Sequence, residues 1–243
     1  MRDYLLDLVE HTHDLGFIDL IKITGSNTDT IIDGISEDRS VVVQGKFITA
    51  NPELNGVFGM PNLNKLKILL NLEEYKEEAK ISLTHTNKDG VNVPSGIHFE
   101  NVAGDFQNDY RFMVKEIVDD KLRTASFKGA TWNVEFEPSI ANIRRLKMMA
   151  LANSEESLFQ VKLENGNLKF YFGDHSTHAG DFVFQNNVAG TLANIWIYPV
   201  TQIIKILDLS GDKTIRLSDQ GIAEIEVNSG LSIFKYLIPA KKK

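Results

Sequence analysis

The sequence predicts an α+β protein built from two similar domains, each with two helices packed on antiparallel sheets. Three observations lead to this prediction: an internal repeat, a series of short segments with the alternating pattern of strands, and the hairpin signal Asn165–Gly166. The chain has 243 residues, enough for two domains of ordinary size. We expect the domains at residues 1–114 and 130–243, joined by an exposed connector over residues 115–129.

The repeat is clearest in two helical segments, PNLNKLKILLNL from Pro61 and PVTQIIKILDLS from Pro199. Each begins with proline, which suits the first turn of a helix, and each precedes a strand-like segment, KISLTHT or KTIRLSD. The matched residues are Leu66 with Ile204, Lys67 with Lys205, Ile68 with Ile206 and Leu69 with Leu207. This correspondence indicates that the two halves arose by duplication.

The remaining elements follow the same order in both halves. The first half opens with a predicted helix, DYLLDLVEHTHDLG, which is followed by the strand-like segments FIDLIKITG, TIIDGIS and SVVVQGKF. The second half opens with the predicted helix SIANIRRLKMMALAN, which is followed by LFQVKLEN, NLKFYFGD and GDFVFQN. Further strands end each half, GIHFENV and NDYRFMV in the first, IAEIEV and SIFKYLI in the second. Each half is therefore predicted to run helix, strands, helix, strands.

The predicted helix Ser139–Asn153 is basic although the chain as a whole is acidic. The formal net charge of the protein is -7, yet this segment carries Arg144, Arg145 and Lys147 and no Asp or Glu. At about 100° per residue an apolar stripe forms on one side, with Arg145 opposite it and the other two cations beside it. The residues of that stripe are Ile140, Ile143, Leu146, Met149 and Ala150. Such a face suits a polyanion, above all nucleic acid, with a solvated helix face as the alternative.

Several classes of function are excluded or disfavoured by what the sequence lacks. It has no cysteine, which excludes a disulfide framework, thiolate catalysis and cysteine-ligated zinc. It has no glycine-rich nucleotide motif and no nucleophile elbow, so we expect a protein without enzymatic activity or cofactor. Charges interrupt the apolar run at the N-terminus, and no window approaches the roughly 20 apolar residues of a membrane span. We therefore expect a cytoplasmic protein with no membrane partner.

Two alternative interpretations stay open at this stage. The histidines of GDHSTHAGD, His175 and His178, lie near Asp174 and Asp181 in sequence and could ligate a metal, which would fit a metal-dependent hydrolase. Their spacing matches no strong metal motif, so no metal site is predicted. The second alternative is a two-domain module that binds another protein. Both alternatives predict a native mass of one or two chains, and loss of bound metal on substitution of His178 would favour the hydrolase.

Four segments carry a resemblance to a known family: EPSIANIRRLKMMALAN, LENGNLKFYF, PVTQIIKILDLSGDKTIRLSDQGIAEIEV and IFKYLIPAKKK. They resemble the DNA polymerase sliding clamps, the processivity factors that include proliferating cell nuclear antigen and the clamps of tailed phages. The resemblance covers nearly the whole chain, and the opening at a helix is similar to the phage branch. It implies the DNA clamp fold and a homotrimeric ring around duplex DNA that tethers the replicative DNA polymerase without reading sequence. A separate clamp loader would use ATP to place it, for a phage protein in the host-cell cytoplasm.

The resemblance implies that helix cations line the opening of the ring. The DNA-binding residues would be Arg144, Arg145, Lys147, Lys67, Lys205 and Lys65. Their contacts would be to phosphates, which give affinity without sequence recognition. The first predicted helix departs from this pattern because it is acidic and would repel phosphate. Its acids are Asp3, Asp7 and Glu10, followed by Asp14.

The resemblance also implies two surfaces for protein contacts. Subunits would pair through the edge strands Tyr110–Val114 and Leu168–Phe172, with contacts from Tyr110, Phe112, Leu168, Phe170 and Phe172. Polymerase and loader would bind near the connector and the C-terminus, at Ile117, Val118, Leu122, Tyr236, Leu237, Ile238 and Pro239. The apolar residues of the connector are expected in a short strand or along the surface. The alternative for most of these residues is an ordinary place in the core.

Overall fold

The computed structural model describes residues 1–88, 90–123, 127, 129–174 and 178–241. The chain divides into two compact units. The first consists of Met1–Ser126 and Ser229–Phe234, and the second of Phe127–Asn228 and Lys235–Lys243. Within the described residues, no helix is both long enough and apolar enough to cross a membrane.

The first unit contains the helices α1 (Arg2–Glu10), α2 (Leu63–Asn71) and α3 (Lys115–Lys121). Its strands are β1 (Leu20–Gly25), β2 (Thr30–Ile35), β3 (Val42–Phe47), β4 (Gly56–Pro61), β5 (Lys80–Lys88), β6 (Val91–Glu100), β7 (Gln107–Arg111) and β8 (Met113–Val114). Within this unit the strands pair antiparallel in the orders β8-β4-β1-β2-β3 and β5-β6-β7. Short 3-10 turns lie at His13–Leu15, Pro52–Leu54 and Glu73–Tyr75.

Helices α1 and α2 pack against each other because apolar residues recur every three or four positions along both. The buried apolar residues are Leu5, Leu8 and Val9 in α1 and Leu63, Leu66, Leu69 and Leu70 in α2. Helix α2 begins after Asn62, whose side chain accepts a hydrogen bond from the backbone N–H of Lys65 at 3.3 Å. The opposite face of α2, which carries the Lys65 side chain, is left exposed.

The connector forms helix α3, which corrects the expectation of a short strand or an exposed surface segment. The helix packs on β4 and β1, with Val118 and Leu122 buried one turn apart. Gly59 of β4 permits this close packing, because a Cβ at that position would lie 2.8 Å from Val118 Cγ2. On the exposed side, Lys115 and Asp119 form an ion pair at 2.5 Å. The helix therefore depends on a glycine far away in sequence.

The second unit contains the helices α4 (Ile140–Ala152) and α5 (Val200–Leu207). Its strands are β9 (Val134–Phe136), β10 (Leu158–Glu164), β11 (Asn167–Gly173), β12 (Ala179–Gln185), β13 (Trp196–Pro199), β14 (Asp212–Ser218) and β15 (Ile222–Asn228). They pair antiparallel in the orders β12-β11-β10-β13 and β15-β14-β9. The last strand, β16 (Ser232–Pro239), has its first residues in the first unit and the others in the second.

The predicted fold class is confirmed, because both units combine helices with antiparallel sheets. The predicted Asn-Gly hairpin joins β10 and β11, with φ of 51° at Asn165 and 75° at Gly166, as a type I′ turn requires. Strands β9, β4 and β13 were not predicted. Pro61 and Pro199 end the last two of these strands, so they lie before the helices instead of in the first turn.

The outer strands of the four-stranded sheet are β12 and β13, so the prediction that Leu168–Phe172 forms an edge is wrong. These residues belong to β11, which lies between β10 and β12. In the first unit the predicted edge Tyr110–Val114 is correct only in part. Its first residues end β7, an outer strand of the three-stranded sheet, whereas Met113–Val114 form β8, which pairs with β4 and is an outer strand of a different sheet. Alternating apolar residues indicate a strand but do not report its neighbours in the sheet.

A buried ionisable cluster joins the end of α1 to the segment Ser229–Phe234. His11 Nδ1 lies 3.2 Å from Asp7 Oδ1, and the His11 ring stacks on Phe234 with centroids 4.7 Å apart. The hydroxyl of Ser232 donates to Asp7 Oδ2 at 2.5 Å. Burial opposes the charged form of His11, but hydrogen bonding to Asp7 outweighs it and raises the pKa of His11. Burial also opposes the charged form of Asp7, but hydrogen bonds from His11 and Ser232 lower its pKa.

We expect the stability of the first unit to fall as the pH rises above the ordinary histidine pKa of 6.5. Folding raises the pKa of His11, so its contribution is complete below that pH and is lost as the pH rises through the folded pKa. Folding lowers the pKa of Asp7, so its contribution is lost as the pH falls below the ordinary value of 3.8. Asp7→Asn should cost about 3–5 kcal/mol and flatten both pH dependences in thermal unfolding.

The matched control for this prediction is Asp3→Asn, which changes an exposed acid of the same helix. It should leave the pH dependence of the unfolding temperature as it is in the unchanged protein. The same pH dependence in the Asp7→Asn variant would contradict the role given to the buried pair.

Candidate nucleic-acid interface

Helix α4 packs on β12 through one face and exposes the other. The helix begins after Ser139, whose hydroxyl accepts a hydrogen bond from the backbone N–H of Asn142 at 3.1 Å. The side chain of Asn142 donates to Gln185 Oε1 of β12 at 2.7 Å, and Leu146 is buried beneath the helix. A leucine and an amide pair therefore anchor α4, and most of its other side chains remain in contact with water.

The exposed face of α4 carries apolar side chains between its cations. Ile140, Met148 and Leu151 are 72%, 63% and 78% exposed, and they share this face with Arg144 and Lys147. Ile140 therefore does not belong to the packed stripe predicted from the sequence. At about 100° per residue it lies about 120° from Leu146 around the helix, outside the packed face.

The two arginines of α4 keep their charge available in different ways. Arg144 is exposed, and no acid in the described part of the chain pairs with it. Arg145 lies over the ring of Phe182 in β12, with its guanidinium carbon 5.4 Å from the ring centroid. This cation–π contact positions Arg145 without neutralising it. No signal in the sequence indicated this role for Phe182, because the alternation in GDFVFQN indicated only a strand.

Two of the candidate lysines are held by acids of their own unit. In the first unit, Lys67 Nζ lies 2.9 Å from Asp14 Oδ1. In the second unit, the ammonium of Lys147 contacts the carboxylate of Asp208. The other two candidates, Lys65 on α2 and Lys205 on α5, are exposed. The structure thus brings Arg144, Arg145 and Lys147 together on α4 and places the other predicted cations on α2 and α5.

The acids of the first helix repel phosphate less than the sequence suggested. Asp7 is buried, and its carboxylate interacts with His11 and Ser232 inside the first unit instead of with solvent. Asp14 lies beside Lys67, which partly neutralises it. Asp3 is exposed. Side-chain contacts that the sequence does not reveal therefore weaken the repulsion of phosphate that was expected from the acids of the first helix.

Several cations on the strands of the second unit pair with neighbouring carboxylates, whereas neither arginine of α4 has an acidic partner among the described residues. Glu164 lies 2.5 Å from Lys162 and 3.2 Å from Lys169. Hydrogen bonds from Lys162, Tyr171 and Lys169 lower the pKa of Glu164 to about 2. Arg216 pairs with a group of acids, Glu135, Glu224 and Glu226. Charge that can contact phosphate is therefore concentrated on the helices.

The aromatic side chains predicted at the subunit edges lie inside their units. The hydroxyl of Tyr110 donates to the Pro61 carbonyl at 2.5 Å, and its ring is buried. Phe112 stacks on Phe58 with centroids 4.2 Å apart. In the second unit the buried residues are Leu168, Phe170 and Phe172. Strand alternation turns these side chains inward, so an edge contact here would rely on backbone groups.

The residues predicted to bind partner proteins differ in exposure. Ile117 is 50% exposed on α3, and Pro239 is exposed at the end of β16. The others, Val118, Leu122, Tyr236, Leu237 and Ile238, are buried, so in this conformation they can only support a surface. Within the first unit a groove runs beside Leu122, lined by residues that include Phe17, Ile35, Arg39, Pro61, Met113 and Lys121.

The structure offers no support for the hydrolase alternative. Among the described residues no three His, Asp or Glu side chains lie close enough together to hold a metal ion. His175 lies outside the described residues, and His178 is described as exposed.

We expect Leu146→Ala to destabilise the second unit by about 2–4 kcal/mol, because it removes the buried anchor of α4 and leaves a cavity. The matched control is Leu151→Ala on the exposed face, which should change stability by less than about 0.5 kcal/mol. Urea unfolding followed by circular dichroism measures both values. Equal losses of stability would show that the packed face of α4 is assigned wrongly.

Two solved structures have the same fold as this chain. One is described as the C-terminal region of FEN-1 bound to A. fulgidus PCNA, with a TM-score of 0.71 and 8% identity over 100% of this chain and 97% of that chain. The other is PCNA from Thermococcus kodakaraensis, with a TM-score of 0.66 and 12% identity over 99% of this chain and 97% of that chain. No family model and no curated protein sequence matches the chain. The chain therefore has the two-domain fold of the PCNA sliding clamps.

Proposed function

We propose that this protein is a sliding clamp that encircles duplex DNA and tethers a replicative DNA polymerase. The observation that carries the proposal is the exposed face of α4, where Arg144, Arg145 and Lys147 project from a helix without acids. Cations that contact phosphates give affinity without sequence recognition, and a protein that moves along DNA needs this kind of affinity. The fold shared with PCNA over the whole chain supports the same role.

The composition of this face suits loose contact with DNA. Ile140, Met148 and Leu151 cannot form hydrogen bonds with phosphate, so contacts are limited to a few cations. A closed ring holds DNA by topology and does not require tight binding. Few and exchangeable phosphate contacts are therefore sufficient for retention and still permit sliding.

For ring closure, we propose that β7 of one copy pairs with β12 of the next. Both are outer strands of their sheets, and an outer strand presents backbone groups that can pair with another chain. The N–H of Phe112 donates to the Ser95 carbonyl at 3.0 Å. Because backbone groups alternate in direction along a strand, the N–H of Arg111 points away from β6. A homotrimer closed in this way would surround DNA with six units.

We further propose that the polymerase and the clamp loader bind near α3. One of the two solved PCNA structures has the C-terminal region of FEN-1 bound to A. fulgidus PCNA, and we extend this kind of binding to the present chain. Ile117 offers an exposed apolar side chain, and the groove beside Leu122 offers further apolar surface. The residues Tyr236–Pro239 would contribute to partner binding mainly by packing beneath the surface that the partner contacts.

In this proposal the protein performs no chemistry of its own. A separate loader would use ATP to open and place the ring. The assignment to the tailed-phage branch, with action in the host-cell cytoplasm, rests on the sequence resemblance alone.

Charge reversal on α4, Arg144→Glu with Arg145→Glu, should weaken binding to a short fluorescent DNA duplex and make it less sensitive to salt. Each lost phosphate contact should reduce the slope of log K against log salt by about 0.9. Fluorescence anisotropy over a series of KCl concentrations measures affinity and slope together. Lys121→Glu with Arg123→Glu makes the same change in net charge at the C-terminal end of α3 and serves as the control. If the folded α4 variant bound DNA as the unchanged protein does, the proposal would fail.

Light scattering should give a native mass near three times 27.3 kDa. Arg111→Pro should reduce the mass to that of a single chain, because proline removes the outward N–H of β7. Arg111→Ala keeps this N–H and should remain trimeric, which makes it the matched control. A single-chain mass for the unchanged protein, or a trimer of correctly folded Arg111→Pro, would rule out closure through β7.

A further inference from the structure

In each unit an acidic side chain contacts a lysine that the proposed function assigns to DNA. In the first unit Asp14, which follows α1, lies 2.9 Å from the ammonium of Lys67 on α2. In the second unit Asp208, which follows α5, contacts Lys147 on α4. In the first unit the acid follows the first helix of the unit and the lysine lies on the second helix. In the second unit the lysine lies on the first helix and the acid follows the second. The same kind of contact is therefore reached twice from different positions of the repeat.

The position of Asp208 is unfavourable for its own helix. It is the C-cap residue of α5, where the negative end of the helix dipole disfavours a carboxylate. Its side chain is 61% exposed and that of Lys147 is 38% exposed, so their ion pair adds little to stability. Asp208 also acts on Lys213 through its charge, but the ammonium of Lys213 donates to the carbonyls of Leu209 and Gly211 at 2.6 and 2.8 Å. The ion pair with Lys147 therefore contributes too little to the stability of the second unit to explain an acid at this position.

We infer that Asp208 and Asp14 compete with DNA phosphates for Lys147 and Lys67, and that they thereby set how weakly the clamp holds DNA. This inference rests on the proposed function and names residues that regulate the same surface. An exposed ion pair in water exchanges one anion for another at a small net cost. A phosphate that takes over Lys147 must displace a carboxylate, whereas a phosphate that binds Arg144 displaces no acid of the described chain.

Removal of either acid should tighten DNA binding and steepen its dependence on salt. In the Asp208→Asn variant Lys147 is available for one further phosphate contact per chain. Each added contact should steepen the slope of log K against log salt by about 0.9, which corresponds to about a threefold change in affinity between 50 and 200 mM salt. Asp14→Asn should have the same effect through Lys67.

A double-mutant cycle separates competition for the lysine from simple repulsion of phosphate by the acid. If Asp208 acts by holding Lys147, Asp208→Asn should tighten DNA binding in the unchanged chain but not in a Lys147→Gln background. If it acts by repulsion, the gain should persist in that background. Asp14→Asn and Lys67→Gln form the corresponding cycle in the first unit.

The measurement is fluorescence anisotropy of a short labelled duplex over a series of KCl concentrations, with thermal unfolding to verify that each variant is folded. The control is Asp120→Asn, which removes an acid paired with Arg123 on α3 at 2.9 Å. It makes the same change in net charge away from the proposed DNA face and should leave affinity and slope unchanged.

Coupling between acid and lysine in both cycles supports the inference. A gain that persists without the lysine overturns it, and so does unchanged affinity in both acid variants. If Arg144→Glu still weakens binding in those cases, the clamp proposal stands without this inference. If neither Arg144→Glu nor the acid variants alter DNA binding, the proposed function fails together with it.

Discussion

A cation contacts phosphate most readily when the protein does not neutralise it first, and the placement of neighbouring acids in helices and sheets governs which cations meet this condition. Neighbouring side chains on one face of a sheet lie close together along and across the strands, so charged pairs form readily there. Glu164 pairs with Lys162, two residues away on β10, and with Lys169 on the neighbouring strand β11. A helix brings together residues three and four positions apart, and α4 has no acid within that reach. Its packing on β12 buries Leu146 and leaves Arg144 exposed. The basic surface is therefore a consequence of which residues share a helix.

Elements with a strong local cause could be predicted from the sequence. Strand alternation and the Asn165–Gly166 turn identified most strands and one hairpin, and apolar spacing identified α1, α2, α4 and α5. What depends on distant partners could not be predicted. Helix α3 has a single apolar turn, Val118 and Leu122, and its packing requires Gly59 in β4. The order of β11 and β12 is likewise set by pairing across the sheet, which a periodic pattern does not encode.

For the candidate site, too, the local arrangement could be predicted from the sequence, whereas contacts with distant residues could not. The cations of α4 share a helix, so their proximity follows from their spacing in the sequence. The contacts that tune them come from elsewhere in the chain: Phe182 lies under Arg145, and Asp208 contacts Lys147. A sequence therefore reveals where charge is placed more readily than it reveals how much of that charge is available to a ligand.

The corresponding helices of the two units, α1 and α4, differ in the sign of their charge. In the second unit the first helix is basic, whereas in the first unit α1 is acidic and its acids are moderated by contacts: Asp7 with His11, and Asp14 with Lys67. Charges in physiological salt act over only about 8–10 Å, so moderated acids affect only phosphates close to them. In the proposed ring the basic helices of three chains would alternate with less basic ones. DNA would then be held at separated points, and a phosphate leaving one basic helix would cross a weaker stretch before it reaches the next.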